Sequence, residues 1–171
     1  TDKVLESWRY VWDERPNMGM ICGEISGRAF VLDIDTYKSD AAAVWWAGQL
    51  ALHNGNRQIA TPTQRTGGGG TQMIFRAPPG WAPPTGISAI GIDCRGEGGF
   101  AMLPPSRHES GQDYAWLPGR APWEIPIADA PEWLLEALEA LDEAHGGVAG
   151  GPRTQTASSA VIDPFGNQID G

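Results

Sequence analysis

The order of apolar and polar positions lays out an alternation of helices and short strands. Val4, Leu5, Trp8, Val11 and Trp12 recur at the spacing of one helical face, so residues 2–14 read as a helix that Pro16 terminates. Residues 19–22 and 28–34 read as strands, the second rich in the β-formers Phe30, Val31 and Leu32. Ser39 is placed to cap a helix running to about Asn54, with Gly55 as its stop. Residues 58–66 and 71–76 flank four consecutive glycines at 67–70 and suggest a hairpin. A Pro-rich connection over 77–85 leads to a strand over 87–94, and a turn at 96–99 feeds residues 100–103 as a second hairpin. Leu134, Leu135, Leu138 and Leu141 form the buried stripe of a last helix. Asp129 and Glu132 stand at capping-box spacing, Pro131 in the first turn, and Gly146-Gly147 at the end. Helices and hairpins interleaved in this way predict an α+β domain with a mixed or largely antiparallel sheet. That domain is expected to occupy residues 1–147, with residues 148–171 as a polar linker or tail.

Charge changes the picture only once it is mapped. The formal net charge is −9, yet from Glu124 onward nine acids face one base, Arg153, which leaves twelve acids and eleven bases before it. The acidity therefore belongs to the last helix and tail. The near-neutral remainder, with Arg65, Arg76, Arg95 and Arg107 beside its polar motifs, cannot hold a duplex by bulk electrostatics. Cys22 and Cys94 form no CxxC and read as reduced core thiols. No apolar run approaches a membrane span and the chain opens without a secretory signal, which points to a cytosolic setting and no membrane partner.

Asp33-Ile34-Asp35 is the sharpest local feature. Strand residues two apart share a face, so both carboxylates point the same way; they read as a strand end where two aspartates meet water, or as a pair whose repulsion a divalent cation relieves. Asp93 closes the apolar Ile90-Gly91-Ile92 run; it reads equally as a third oxygen ligand or as a turn-forming Asp before the Gly-rich bend. The 67–70 glycines are not a Walker A loop, since neither Lys-Ser nor Lys-Thr follows and no helix begins there. They read as a flexible hairpin loop or as amides that approach an anion, with Arg65 and Arg76 on either side. Pro104-Pro105 fixes a bend that reads as a plain rigid loop or as one presenting Ser106, Arg107 and His108 together. His53 suits a helix C-terminus and needs no further role, and the eight tryptophans belong to the core first, with Trp81 and Trp116 open to base stacking.

Taken in order, these stretches resemble the prim-pol domain of the archaeo-eukaryotic primase superfamily, in its plasmid and phage form. Residues 16–23 leading into Val31-Leu32-Asp33-Ile34-Asp35 are similar to the approach to that family's first metal motif. Thr66 and the glycines ending in Gly69-Gly70, then Met73-Ile74-Phe75-Arg76, resemble the second. Gly91-Ile92-Asp93-Cys94-Arg95-Gly96, then Leu103-Pro104-Pro105-Ser106, resemble the third, and His108, Gly111, Tyr114, Trp116 and the 131–135 helix continue the pattern. The resemblance covers residues 16–141. It implies an RNA-recognition-motif-like sheet carrying the metal site, a smaller α/β module and flanking helices; the segment of some tens of residues that family members usually carry before Asp2 is expected to be missing here.

By the same resemblance, Asp33, Asp35 and Asp93 hold two Mg²⁺ or Mn²⁺ ions. Arg65, Thr66, Gly69, Gly70, Gln72, Ser106, Arg107 and His108 bind the incoming nucleotide. The implied activity is template-dependent nucleotide joining on single-stranded or primed DNA, drawing on nucleoside triphosphates, with a helicase often following in the chain. One departure stands out: the family's second motif carries a His where this sequence has Gln72. A neutral amide forms a bond of about 0.5–1.5 kcal/mol where a charge-assisted one is worth about 1.5–3. A degenerate nucleotide or single-strand binding module and a metal-dependent phosphodiesterase are the competing readings.

Overall fold

The computed structural model describes residues 17–36, 40–84 and 90–144. The helix expected over 2–14, Ser39, most of the 87–94 strand's first half, and the tail from residue 145 lie outside the described residues.

The strands are β1 (Met18–Ile21), β2 (Ala29–Ile34), β3 (Thr63–Arg65), β4 (Thr71–Arg76), β5 (Ile92–Arg95), β6 (Phe100–Leu103), β7 (Ala115–Trp116) and β8 (Ala128–Asp129). The helices are α1 (Ala41–Asn54) and α2 (Glu132–Ala144). Five strands run in the order β5-β2-β4-β3-β7, all antiparallel, and β8 adds a parallel pair along β4 beyond β3. The fold is α+β, as the interleaving predicts.

Alternation along β2 sorts its side chains cleanly. Phe30, Leu32 and Ile34 face the helices, where they meet Met73 and Phe75 of β4 and Ile92 and Cys94 of β5. Ala42, Trp46 and Leu50 of α1 and Leu134, Leu138 and Leu141 of α2 close this core, with spacings of three and four that keep them on one face. A fully buried leucine such as Leu134 or Leu138 contributes about 1.5–3 kcal/mol. His53 stacks on Trp133 with ring centres 5.2 Å apart, tying the end of α1 to α2. Trp81 packs on Phe30 and donates its indole N–H to Glu139, so it serves this core. Both cysteines are free and buried, as expected, and burial pushes their thiols up.

The opposite face carries Ala29 and Val31 of β2 and Ile74 of β4, covered by a two-stranded ribbon of β1 and β6 through Cys22 and Ala101. This ribbon corrects the expected second hairpin. β5 and β6 follow one another yet do not pair: β5 joins β2, and β6 joins β1. The bend between them closes on itself through Gly99 N–H to Gly96 O, and Gly99 O then accepts the Cys22 N–H, which carries the chain onto the ribbon.

Two helix starts also differ from expectation. α1 begins at Ala41 with Asp40 at the cap position and no side-chain cap bond. Asp129 does not cap α2: it lies in β8, and its carboxylate meets Arg76 at 3.3 Å, so the capping box is not formed. Gly55 stops α1 as predicted, in the left-handed region at φ 58°, its N–H bonded to Leu50 O. The 58–66 strand shortens to Thr63–Arg65, because Pro62 offers no N–H and Thr61 turns its hydroxyl onto Ile74 O.

Candidate active site

One row of residues crosses the face that the helices leave open. In register from β5 it reads Asp93, Asp33, Gln72, Gln64 and Trp116, each opposite the next. Directly opposed residues of antiparallel strands bring their Cβ atoms to about 4.5–5.5 Å, where like charges repel. Asp33 and Asp93, sixty residues apart in sequence, are such a pair. Asp35 lies just past the end of β2. Its N–H donates to Gly91 O at 2.7 Å. The approach is close enough that a Cβ on Gly91, which sits at φ +83°, would stand 2.5 Å from Asp35 O.

Electrostatics ties Asp33 to the other two carboxylates. Burial pushes the Asp33 carboxyl up from its ordinary value; the Gln72 hydrogen bond works against that, Asp35 and Asp93 add to it, and Arg95 opposes it. Among the described residues, though, no three His, Cys, Asp or Glu side chains are gathered so as to hold a metal ion. Asp93 is turned elsewhere: its Oδ2 meets Arg95 Nη2 at 2.6 Å and its Oδ1 accepts the Cys94 N–H at 2.8 Å. The register thus brings the aspartates within reach, while the side chains hold an Asp93–Arg95 ion pair in place of an assembled cation centre. Crowded hard-oxygen donors whose repulsion an Arg partly offsets suit a divalent cation, provided that Arg95 gives up Asp93.

The glycine hairpin lies beside the middle of this row, where it joins β3 to β4 next to Asp35. Thr66 N–H donates to Gly70 O, Gly69 N–H to Thr66 O, and Gly70 N–H to Thr66 Oγ1, so the amides of Gly69 and Gly70 are spent on closing the turn. His108 docks against the loop. A Cβ on Gly67 would meet His108 Cβ at 2.2 Å and Gln112 O at 2.6 Å, so only glycine permits this approach. Ser110 Oγ donates to Gly67 O, and Ser110 N–H donates to His108 Nδ1 at 3.1 Å. With Nδ1 accepting, the proton of a neutral imidazole sits on Nε2. Tyr114 completes the corner, its ring edge-on to His108; burial pushes its hydroxyl up, with Asp33 and Glu109 adding.

The remaining expected site residues are placed differently. Ser106 is fully buried, and its hydroxyl accepts from Met18 N–H at 2.7 Å and donates to Met18 O at 2.8 Å. It pins β1 to the loop rather than presenting a hydroxyl to a ligand. Arg107 is exposed and donates from Nε to Gly111 O, which holds its own loop. Arg65 is one residue off Gln64, so the pleat sends its side chain to the other face. Arg76 pairs with Ala29 at the far end of β4 and meets Asp129, away from the glycine loop it was expected to support. Gln72 is buried and bonds the Asp33 carboxylate at 2.9 Å. Gln64, absent from the expected site residues, is its neighbour.

Fold and site together define an α+β protein with an acidic centre on the sheet face away from the helices, beside a glycine-rich hairpin. The chain belongs to the Prim-Pol family, described as the N-terminal domain of bifunctional DNA primase/polymerases, whose match covers residues 1–133. At the level of that family the activity is nucleotidyl transfer in primer synthesis and DNA polymerisation. No curated protein matches the chain. No helix among the described residues is long and apolar enough to cross a membrane.

Proposed function

We infer that this chain joins nucleotides on a single-stranded or primed DNA template, with Asp33, Asp35 and Asp93 as the ligands of two Mg²⁺ or Mn²⁺ ions. The observation that carries the reading is the register that sets Asp33 opposite Asp93 at the edge of the glycine hairpin, in a chain of this family. Two such ions, when bound, would supply an activated 3′-hydroxyl and charge neutralisation at the triphosphate. The protein's part is positioning. Gln72 holds Asp33 by one oxygen. His108 offers Nε2–H beside the hairpin, where a phosphate oxygen would accept it. Arg95, which here pairs with Asp93, would be free to meet the same phosphates wherever Asp93 turned to a cation. The setting is plasmid or phage replication in a bacterial cytoplasm, with residues 1–147 as the catalytic domain, residues 148–171 as a linker and a helicase beyond; the resemblance of the ordered motifs supports this.

Primer extension on a DNA template with Mn²⁺ or Mg²⁺ tests the reading. Asp33→Asn and Asp93→Asn should each lower the rate at least roughly a thousand-fold, about 4 kcal/mol of barrier. No incorporation by the parent, alone or in a longer chain, refutes it. A second reading, a non-catalytic nucleotide or single-strand binding module, draws on the uncharged Gln72 and the Asp93–Arg95 pair. Nucleotide binding that survives an Asp33→Ala, Asp35→Ala double variant, without turnover in the parent, would select it.

A further inference from the structure

Gln72 does not stand alone beside Asp33. Gln64, fully buried on the next strand, donates from Nε2 to Gln72 Oε1 at 2.6 Å and to Met102 O at 2.7 Å. Met102 belongs to the ribbon, so this bond crosses from one sheet to the other. Chemistry gives the chain of bonds a direction. A backbone carbonyl only accepts, so Met102 O fixes the Gln64 NH₂ group toward itself. The second hydrogen of that NH₂ must then meet an acceptor, which fixes Gln72 with its oxygen toward Gln64. The Gln72 NH₂ is left facing Asp33, where a carboxylate accepts it. Turning either amide over would set two oxygens against each other in a site closed to water. The cost of this arrangement is visible: Gln64 Oε1 is buried without a hydrogen-bond partner among the described residues.

We propose that Gln64 is a positioning residue, which locks the Gln72 amide with its N–H toward Asp33 and so presents Asp33 to the reacting centre. This deepens the nucleotidyl-transfer reading and rests on it for its catalytic consequence. An imidazole at position 72 would find its own orientation from a carboxylate; an amide, whose two ends are nearly isosteric, needs a partner that tells them apart. Gln64 supplies that partner, and the ribbon supplies the reference.

Two measurements test the proposal. In the parent, the Gln72 side-chain NH₂ protons should give widely separated, slowly exchanging signals in a ¹⁵N-correlated NMR spectrum. Gln64→Leu should collapse the separation and speed exchange at least ten-fold while backbone signals of β2 and β4 stay in place. Unchanged Gln72 signals overturn the proposal, whether or not the protein extends primers, so this arm stands apart from the activity reading. The second measurement is a double-mutant cycle on the Mn²⁺ concentration for half-maximal extension. Gln64→Leu should raise it about ten-fold in the parent and less than two-fold in a Gln72→Leu background. Equal effects in both backgrounds would mean that Gln64 acts through packing alone, and would overturn the proposal.

Discussion

Asp35 owes its place to a glycine on the neighbouring strand's approach, and Gly91→Ala measures how much. Gly91 sits at φ +83°, and an added Cβ would stand 2.5 Å from Asp35 O and 3.3 Å from Ala42 Cβ. Two costs are therefore superposed. A left-handed non-glycine residue costs roughly 1–2 kcal/mol, and the collision, with backbone on one side and the first turn of α1 on the other, adds about 1–3. The expected loss is about 2–5 kcal/mol in all. Gly98→Ala separates the two, because Gly98 has a similar φ of +69° and a Cβ there would meet nothing within 4 Å. It should lose only the first cost, about 1–2 kcal/mol. Urea unfolding gives both values. Primer extension against Mn²⁺ concentration then asks whether Asp35 moved: Gly91→Ala should need several-fold more Mn²⁺ for half-maximal rate, and Gly98→Ala no more than the parent. Equal unfolding losses for the two variants, with equal Mn²⁺ dependence, would refute the claim that Gly91 positions Asp35.

Other outcomes follow from single contacts. Ser106→Ala should cost about 1–3 kcal/mol in urea unfolding, since Met18 N–H and C=O both lose their partner, while KM for the triphosphate stays within two-fold; a large KM change with little loss of stability would return Ser106 to the nucleotide. Gly67→Ala should raise that KM about ten-fold by driving His108 and Gln112 off the hairpin, roughly 1.4 kcal/mol of lost binding; unchanged kinetics would show that the docked loop plays no part. Arg76→Ala breaks an exposed ion pair and should shift stability by less than about 0.5 kcal/mol, with activity intact. Loss of extension in that variant would restore Arg76 to the triphosphate.

Much of the framework was legible because it is written in local chemistry. Phe30, Val31 and Leu32 announce a central strand, the 67–70 glycines announce a turn between two strands, and the leucines of α2 repeat at helical spacing. Asp33 and Asp93 were legible as strand residues, and the register sets them side by side. What sequence could not show is which partner a group finds at a distance. Asp129 has the spacing of a helix cap, but Arg76 from β4 takes it. Ser106 reads in sequence as an exposed loop hydroxyl, but the Met18 backbone, 88 residues away, takes up that hydroxyl and it is fully buried. Residues 100–103 follow a turn and invite a hairpin with β5, yet four-residue strands carry too little pattern to fix their own pairing. Gln64 gave no signal at all, since a glutamine in a short strand is ordinary until its two donors are seen to be used.

The strongly acidic helix α2 lies on the side of the sheet away from Asp33, with Glu132, Glu136, Glu139 and Glu143 turned to solvent. A polyanion that approaches the molecule from the helix side therefore meets repulsion. For a chain of the Prim-Pol family that charge gives the molecule an electrostatic rear, and added salt should blunt the repulsion there before it touches the chemistry.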